Sequence, residues 1–347
     1  MAVERFIPFR KQDIIQMCSQ ELTDEHSTLS FDQFCQLLSS VIHYDYHALL
    51  ESLKNNYAPF DPNADTLQLN KLTLEDREQC KSIFSENFAT ILNAANFEKV
   101  TEQDLQEALT EESLFKVRLK VEFEDFEQVV FYRRGESQLS ETITSLWGFR
   151  KQTINFTNYD RVAVFITFKD KSYFEQKKKQ PLGFEPSSTI VKLFQNVPKA
   201  DLEMLFPNSE VRMRPIDKVI IGASAVVGGA VVLVTKLGAS ILLLAALFSF
   251  WLGWRSESVA MTQQHFISFG LGVGVFAGFI FKEWSKFKNR KIKFMKALSD
   301  NLYFKNLDNN AGVFHTLIDS AEEEDFKEAI LAYTFLLNAP EGLSASK

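Results

Sequence analysis

The amino-acid sequence predicts an α+β membrane protein with an N-terminal helical region, a small antiparallel sheet, a transmembrane helical hairpin and C-terminal helices. Apolar residues recur at three- and four-residue spacing through the first 115 residues, which is the periodicity of amphipathic helices. The period then changes to two, which is typical of half-buried strands. The apolar residues between positions 219 and 281 are nearly free of charge, which indicates a membrane region.

Four regions follow from these patterns. We expect a mostly helical soluble region at 1–115, an antiparallel sheet region with a linker helix at 116–215, a membrane region at 216–283, and a basic juxtamembrane helix with acidic C-terminal helices at 284–347. The net charge of −7 and the pI near 5.5 argue against a nucleic-acid partner, because such binders are usually basic over a whole domain. Cys18, Cys35 and Cys80 form no CxxC pair, so we expect no disulfide framework and a reducing compartment.

Helices are predicted in the N-terminal region wherever apolar residues fall on one face. Their bounds are Lys11–Gln20, Phe31–Leu53, Thr73–Ala95 and Thr101–Leu109. Ser30 or Asp32 is expected to cap the second helix, and turn residues predict a loop from Asn55 to Asn70. The TEQD pattern that begins at Thr101 is similar to a capping box.

Four short strands are predicted next. Their bounds are 117–123, Val129–Tyr132, Arg150–Phe156 and Arg161–Phe168. We expect turns at Glu124–Asp125 and at Asn158–Asp160, because Asn and Asp favour turns. Lys177–Lys179 is expected to belong to a solvated loop. A short helix over KADLEMLF, ended by Pro207, then leads through an extended segment at 210–214 to the membrane region.

Three apolar segments compete as membrane spans. They lie at 219–235, 237–254 and 266–282, and each is close to the lower length limit for crossing a hydrocarbon core of about 30 Å. Basic residues flank the region on both sides, and such residues tend to remain on the cytoplasmic side. The number of crossings should therefore be even. We prefer a hairpin of the last two segments, with the first one re-entrant, interfacial or packed against it. Three full spans are the alternative.

Three long segments carry a resemblance to a known family. They read ERFIPFRKQDII, NVPKADLEMLFPNSEVRMRPIDKVIIG and YFKNLDNNAGVFHTLIDSAEEEDFKEAILAYTFLL. They resemble the membrane proteins that carry the domain of unknown function numbered 3754, a family that includes transmembrane protein 143 of animal mitochondria. The resemblance covers nearly the whole chain, and it implies no chemistry because the family has no established activity. Family members usually continue past the final helical block, whereas this sequence stops at NAPEGLSASK, so it is either shorter or incomplete.

The start of the sequence bears on localisation. MAVERFIPFRKQD has no continuous apolar segment, so we expect no secretory signal. It also lacks the leader of a mitochondrial member, which favours a bacterial protein in the inner membrane, or an organellar inner membrane if the protein is eukaryotic. The soluble parts would face the cytoplasm, or the matrix or stroma.

A polar block near the C terminus is the best metal-site candidate. Its candidate ligands are Asp308, Asn310, Glu322 and Glu323, with Asn306, Asn309, Glu324 and Asp325 beside them. Carboxylate and amide oxygens suit Mg²⁺ or Ca²⁺, but the EF-hand spacing is missing. We prefer a structural interpretation in which Asp308 or Asn310 caps a helix that begins near Val313. The acidic run would then be a solvated helix face on which Glu323 pairs with Lys327.

No catalytic pattern is found, so the sequence leaves open whether the protein is an enzyme. His315, Asp319 and Glu322 share one helical face and suggest a transition-metal site, but a partly exposed helical histidine is the preferred interpretation. The sequence contains no P-loop, no Gly-x-Ser-x-Gly and no His-Glu-x-x-His pattern. We therefore predict no cofactor.

The basic segment 282–296 predicts an anchor at the membrane surface. Its anchor residues are Lys282, Trp284, Lys286, Lys288, Arg290 and Lys291. Such residues attract anionic lipid headgroups at roughly 1 kcal/mol per basic residue. Specific headgroup recognition is the sharper alternative. Gly274-x-x-x-Gly278 predicts a close helix–helix contact, inside the hairpin or between subunits of a homo-oligomer. Arg133 and Arg134 are either an anion site or an exposed strand terminus.

These features favour a membrane-anchored scaffold or interaction protein whose partners are the anionic bilayer surface and further copies of the chain. One alternative is an oligomeric permeation protein for small solutes or ions, with Gly-rich segments lining a path. The other is an enzyme that acts on lipid, which would need the acidic C-terminal block to face the bilayer.

Overall fold

The computed structural model describes residues 5–22, 25–64, 66, 69, 72–110, 118–145, 150–177, 184–212, 215–254 and 262–339. Contacts between Cα atoms divide the chain into two compact units. The first unit combines Met1–Leu114, Val121–Ser209 and Leu302–Lys347, and the second consists of Phe115–Lys120 and Glu210–Asn301. The second unit, which carries the apolar region, is therefore inserted into the first along the chain.

The described residues form both helices and strands. The helices are α1 (Lys11–Gln20), α2 (Glu25–Tyr57), α3 (Leu74–Ala94), α4 (Glu102–Thr110), α5 (Lys171–Gln176), α6 (Pro215–Val232), α7 (Gly238–Trp251), α8 (Gln263–Lys305) and α9 (Ala311–Asn338). The strands are β1 (Glu98–Lys99), β2 (Arg118–Lys120), β3 (Phe126–Ser145), β4 (Arg150–Phe168), β5 (Thr189–Pro198), β6 (Glu210–Arg212) and β7 (Asn306–Asn309). The predicted mixture of helices with a small antiparallel sheet is confirmed.

The predicted helices that begin with a local capping signal are confirmed nearly to the residue. Thr73 caps α3, since its hydroxyl accepts from the Asp76 N–H while the Asp76 carboxylate accepts from the Thr73 N–H. Thr101 and Asp104 make the same reciprocal pair at the start of α4. Such caps satisfy backbone N–H groups that the helix itself leaves unpaired.

The predicted bounds of α2 are wrong at both ends. The helix begins at Glu25, so Ser30 and Asp32 lie inside it and do not cap it. It continues to Tyr57, where the buried phenol donates to the Thr189 carbonyl at 2.7 Å and holds the last turn against β5. The predicted loop therefore begins after Tyr57, and part of it lies outside the described residues.

The first unit is built on a five-stranded antiparallel sheet with the order β1-β3-β4-β5-β7. β3 and β4 form its longest pair, from Phe126 opposite Phe168 to Ser145 opposite Arg150, with a register shift between Phe126 and Gln128. The turn predicted at Asn158–Asp160 is wrong, because β4 runs through these residues without interruption. Asn158 and Tyr159 are buried between neighbouring strands, so tertiary packing overrides their turn propensity.

Three strands of this sheet were not predicted. No strand was predicted for β1, β5 or β7. β7 pairs with β5 through Lys192 opposite Asn309 and Leu193 opposite Asp308. Of the strand predicted at 117–123, the described strand β2 covers Arg118–Lys120 and pairs with β6 in the second unit. A 3₁₀ turn at Phe123–Asp125 lies where a turn was expected.

Apolar residues cover both faces of the sheet. On one face Phe165 packs beneath α3 and α9, with ring centroids 5.8 Å from Phe84 and 6.0 Å from Phe88. On the other face Phe168 and Phe206 belong to a second cluster, together with the 3₁₀ helix Lys199–Leu205. Successive strand residues point to opposite faces, so one strand supplies both cores.

The second unit consists mainly of the apolar helices. α6 and α7 are joined by a π-helical turn at Leu233–Leu237, so the segments predicted at 219–235 and 237–254 share one helical run. A Cβ added at Gly228 would lie 3.0 Å from the Phe279 ring, so the Phe279 side chain of α8 reaches α6. The predicted span 266–282 and the basic helix after it form one continuous helix, α8. Of residues 255–265, which separate the two predicted spans of the hairpin, 255–261 lie outside the described residues.

Candidate functional site

The acidic residues of α9 point to separate protein partners. Glu322 lies 2.9 Å from the His43 ring, and Glu323 accepts from the Lys11 N–H at 2.9 Å. Asp325 accepts a hydrogen bond from the Tyr46 hydroxyl. Burial raises the pKa of that phenol, and the hydrogen bond to Asp325 raises it further. These carboxylates hold α1 and α2 against α9 instead of converging on one cavity.

Glu324 and Lys327 form a buried ion pair that fixes the N-terminal segment. The Lys327 ammonium lies 2.7 Å from Glu324 and donates to the carbonyls of Ile7 and Phe9 at 3.0 Å. The second oxygen of Glu324 accepts from the Ile7 N–H at 2.9 Å. Glu323 lies 4.0 Å from Lys327, so the predicted pair exists but is the longer of the two. The expectation of a fully solvated acidic face is wrong at Glu324, which is 4% exposed.

Asp308 and Asn310 have structural partners of their own. Asp308 accepts a short hydrogen bond from the Thr316 hydroxyl. Asn310 precedes α9, but its side chain makes no capping bond there; its Oδ1 accepts from the Val191 N–H at 3.2 Å. The predicted cap is therefore wrong for Asn310, because its side-chain amide bonds the backbone of β5 and connects that strand to the start of α9. Asn310 adopts a φ of 49°, an uncommon value for a non-glycine residue.

The two arginines considered as an anion site are partnered inside β3. Arg133 pairs with Glu136 and lies 3.5 Å from Glu98. Arg134 donates to the Ala95 carbonyl at 3.2 Å and stacks over Phe97, and burial lowers the pKa of its guanidinium. They lie within a long strand and not at an exposed end, so the anion-site interpretation is not supported.

Among the described residues, no group of three His, Cys, Asp or Glu side chains is placed to hold a metal ion. The predicted trio of His315, Asp319 and Glu322 does not assemble, since Glu322 contacts His43 on α2. Whether the asparagine and aspartate ligands proposed near residue 308 bind a cation stays a prediction.

A cleft of about 620 Å³ opens in the first unit, between the end of α2, the approach to β5 and the junction of β7 with α9. Its polar lining consists of Asn63, Glu185, Lys192, Asn309 and Asn310. Its apolar lining consists of Pro62, Phe184 and Ile190. Sequence reasoning selected Asn309 and Asn310 but missed Lys192, because β5 had not been recognised as a strand.

Lys192 is the unusual group of this cleft. Its side chain is half-buried, and burial lowers the pKa of its ammonium group. It makes no ion pair with any residue in the described part of the chain. A cation that has lost part of its hydration without gaining a carboxylate partner favours the approach of an anion.

α8 exposes its apolar side chains along the predicted span. Examples are Phe266, Ile267, Phe269, Leu271, Ile280 and Phe281, each between 42% and 73% exposed. Within its most apolar 18-residue window, 6% is buried. By length and composition, α8 is the one helix among the described residues that can cross a membrane, and Ala225–Thr235 is a shorter apolar helical stretch.

The predicted anchor residues continue α8 and face outward. Lys282, Trp284, Lys286, Lys288 and Arg290 are all exposed, and the side chain of Lys291 lies outside the described set. The Lys288 ammonium lies 5.7 Å from the Trp284 ring centroid, within cation–π range. This clustering of an aromatic ring with cations is typical of a helix end at a membrane surface.

Gly274 and Gly278 make no close contact inside the described chain. A Cβ added at either glycine, or at Gly270, would meet no atom within 4 Å. The glycine contact within the second unit is instead that of Gly228 and Gly229 with Phe279. A contact at Gly274 and Gly278 between subunits stays a prediction.

The comparison with protein families gives one match. The model of a family described as "Protein of unknown function (DUF3754)" matches residues 159–312, from within β4 to the first turn of α9. This stretch includes the apolar helices and most of the cleft, so it is similar to a domain to which no function is attached. The likeness to transmembrane protein 143 stays a prediction. No solved structure matches the chain.

Proposed function

We propose that this chain is an integral membrane protein that serves as a membrane-anchored scaffold or interaction protein. The helices of the second unit form the anchor, and the first unit is the interacting part. Its soluble parts lie on the cytoplasmic face, or on the matrix or stromal face, because basic residues flank the anchor on that side. An inner membrane, bacterial or organellar, is the proposed location.

The observation that carries this proposal is the exposure of α8. A core helix of a soluble protein is apolar but mostly buried, whereas the apolar window of α8 is 6% buried. At about 1.5 Å per residue, the segment 266–282 extends roughly 25 Å, which suits a hydrocarbon core of about 30 Å with snorkelling lysines at its end. The remainder of this 43-residue helix carries the basic residues and would lie outside the hydrocarbon.

The run of α6 and α7 supports a hairpin as the form of the anchor. If α6 and α7 together form one arm of the hairpin and α8 forms the other, no third apolar segment is left unassigned. Two arms cross the membrane twice, so both basic flanks lie on the same side. The contact of Gly228 in α6 with the Phe279 ring of α8 links the two arms. The Thr235 hydroxyl within the π turn donates to the Val231 carbonyl at 2.7 Å, as expected for a polar group in an apolar helix.

Extraction of membranes tests integral insertion against surface binding. The full chain should remain in the membrane pellet after high salt and after alkaline carbonate. A variant carrying Leu271→Lys and Val275→Lys should be released, because each lysine at a span centre costs about 3 kcal/mol of insertion free energy. The matched Leu271→Ala and Val275→Ala variant should stay in the pellet. Release of the unaltered chain by carbonate would refute the proposal.

The glycine face of α8 supports a homo-oligomer as one form of interaction. Gly270, Gly274 and Gly278 share a helical face that meets nothing within 4 Å, which suits close packing against a second copy. Gly274→Leu should lower the oligomer mass in mild detergent, whereas Val275→Leu on another face should not. A ring-shaped oligomer would favour the permeation alternative, and a monomer would exclude it.

The lipid-acting enzyme is disfavoured, since the acidic residues of α9 contact protein groups.

A further inference from the structure

We propose that the cleft around Lys192 binds a phosphate group carried by a small molecule or by a lipid headgroup. The cleft lies wholly within the first unit, so the inference does not rest on the membrane anchor. A volume of about 620 Å³ falls within the range of ligand sites in proteins.

Lys192 supplies the charge. It follows Ile190 at a spacing of two along β5, so its stem leaves the sheet on the face that Ile190 occupies. Its burial removes water from the ammonium group, and no described carboxylate replaces that water. An anionic oxygen in the cleft would restore a charge-assisted hydrogen bond, which is stronger than a bond between neutral groups.

Amide groups beside Lys192 supply further donors. Asn63 and Asn309 are exposed at the cleft, and each side-chain amide has two N–H donors. The Oδ1 of Asn310 is already used by the Val191 N–H, so the Nδ2 group is its remaining donor. An ammonium group with several amide donors suits a tetrahedral phosphate, whose three oxygens accept more bonds than the two of a carboxylate.

The other residues that line the cleft bear on phosphate affinity as well. Phe184 and Ile190 offer an apolar wall for the group that carries the phosphate. Glu185 lines the same cleft with an exposed carboxylate, which repels an anion at the rim. Removing the charges of Lys192 and Glu185 should therefore change phosphate affinity in opposite directions, a pattern that general loss of structure would not produce.

Calorimetric titration of the full chain in neutral detergent with inorganic phosphate tests the proposal. Lys192→Met should weaken binding by about tenfold or more, and Glu185→Gln should tighten it a few-fold. Lys305→Met is the matched control: Lys305 is also half-buried, and burial lowers the pKa of its ammonium group, but it does not line the cleft. Equal affinity in the Lys192→Met variant, or an equal loss in the Lys305→Met variant, would overturn the site.

Competition identifies the source of the phosphate. Glycerol phosphate in solution and phosphatidic acid in otherwise neutral vesicles are offered separately against bound inorganic phosphate. Displacement by glycerol phosphate alone supports a soluble ligand, and displacement by the vesicles supports a headgroup. Either result must be absent from the Lys192→Met variant. Displacement by chloride at equal ionic strength would overturn the proposal, because it would show simple screening.

Discussion

The carboxylate of Glu324 and the ammonium of Lys327 lie one helical turn apart on α9 and hold a segment that is more than 300 residues away in sequence. Both residues are under 5% exposed, and they also bond backbone groups of Ile7 and Phe9 and the side-chain amide of Asn96. A buried ion pair is costly to form but far costlier to break from one side, because the remaining charge has no water. The N-terminal segment therefore depends on this pair.

Lys327→Met should reduce the free energy of unfolding by about 3 kcal/mol, since it leaves the Glu324 carboxylate buried without its counter-charge. Hydrogen exchange on the full chain should show faster exchange in α9 and at residues 7–11. Glu324→Gln combined with Lys327→Met should lose less stability than Lys327→Met alone. Unchanged exchange in Lys327→Met would show that the pair does not hold the segment.

Cys35 gives a prediction about pH. Burial, assisted by Asp32 and Cys18, raises the pKa of its thiol to about 11, because the thiolate would lose water and meet negative charge. Since the folded state prefers the protonated thiol, this contribution to stability is fully present below pH 9 and is lost as the pH rises toward 11. Mass spectrometry should show that iodoacetamide modifies Cys80, the more exposed cysteine, before Cys35 at every pH below 9. Equal labelling of both cysteines at neutral pH would contradict this account.

At the scale of elements, Gly135 allows β3 to lie close to the Asp160 carboxylate of β4. It adopts a φ of +71°, and an added Cβ would lie 2.4 Å from the Asp160 carboxylate. The strand therefore requires glycine both for backbone conformation and for space. Asp160, interpreted from sequence as a turn residue, lies opposite this glycine inside the β3–β4 pair.

Gly135→Ala should destabilise the first unit by about 2 kcal/mol, combining left-handed backbone strain with the contact to Asp160. Circular dichroism melting of the full chain in detergent measures the loss. Adding Asp160→Ala should recover the part due to the contact and leave the part due to φ. Full recovery in the double variant would mean that backbone strain contributes nothing.

The contrast between α3 and β4 shows what the sequence makes predictable. Thr73 and Asp76 lie three residues apart, so the capping signal of α3 is complete within one turn. Asn158 and Tyr159 carry a turn signal just as local, but β3 and β5 pair with them from both sides and bury them. β7 is harder still, because it pairs with a strand more than 100 residues earlier.

The residues of the candidate site were also hard to predict, because their partners are distant in sequence. The alternation in TIVKLFQNV was the available signal for β5, and recognising it would have placed Lys192 on a sheet face. The partners of the acidic residues on α9 come from α1 and α2, so no spacing within α9 revealed that they serve packing. The basic and apolar parts of α8, by contrast, are contiguous, and the exposure of that helix agrees with the sequence pattern.

For the whole molecule, we propose that a two-armed anchor places the first unit and the end of α8 on the same side of a membrane. Basic residues on both flanks and the joining of α6 and α7 into one helical run support this topology. Three crossings would instead place these parts on opposite sides.

Cysteine accessibility in sealed vesicles tests this membrane topology. Single cysteines at Ser172, Gln263 and Ser299, introduced after Cys18, Cys35 and Cys80 are replaced by serine, report the first unit and the parts of α8 before and after its apolar segment. An impermeant maleimide should label Ser172→Cys and Ser299→Cys from one side and Gln263→Cys from the other. Labelling of Gln263→Cys and Ser299→Cys from the same side, or of Ser172→Cys and Ser299→Cys from opposite sides, would contradict the two-armed anchor.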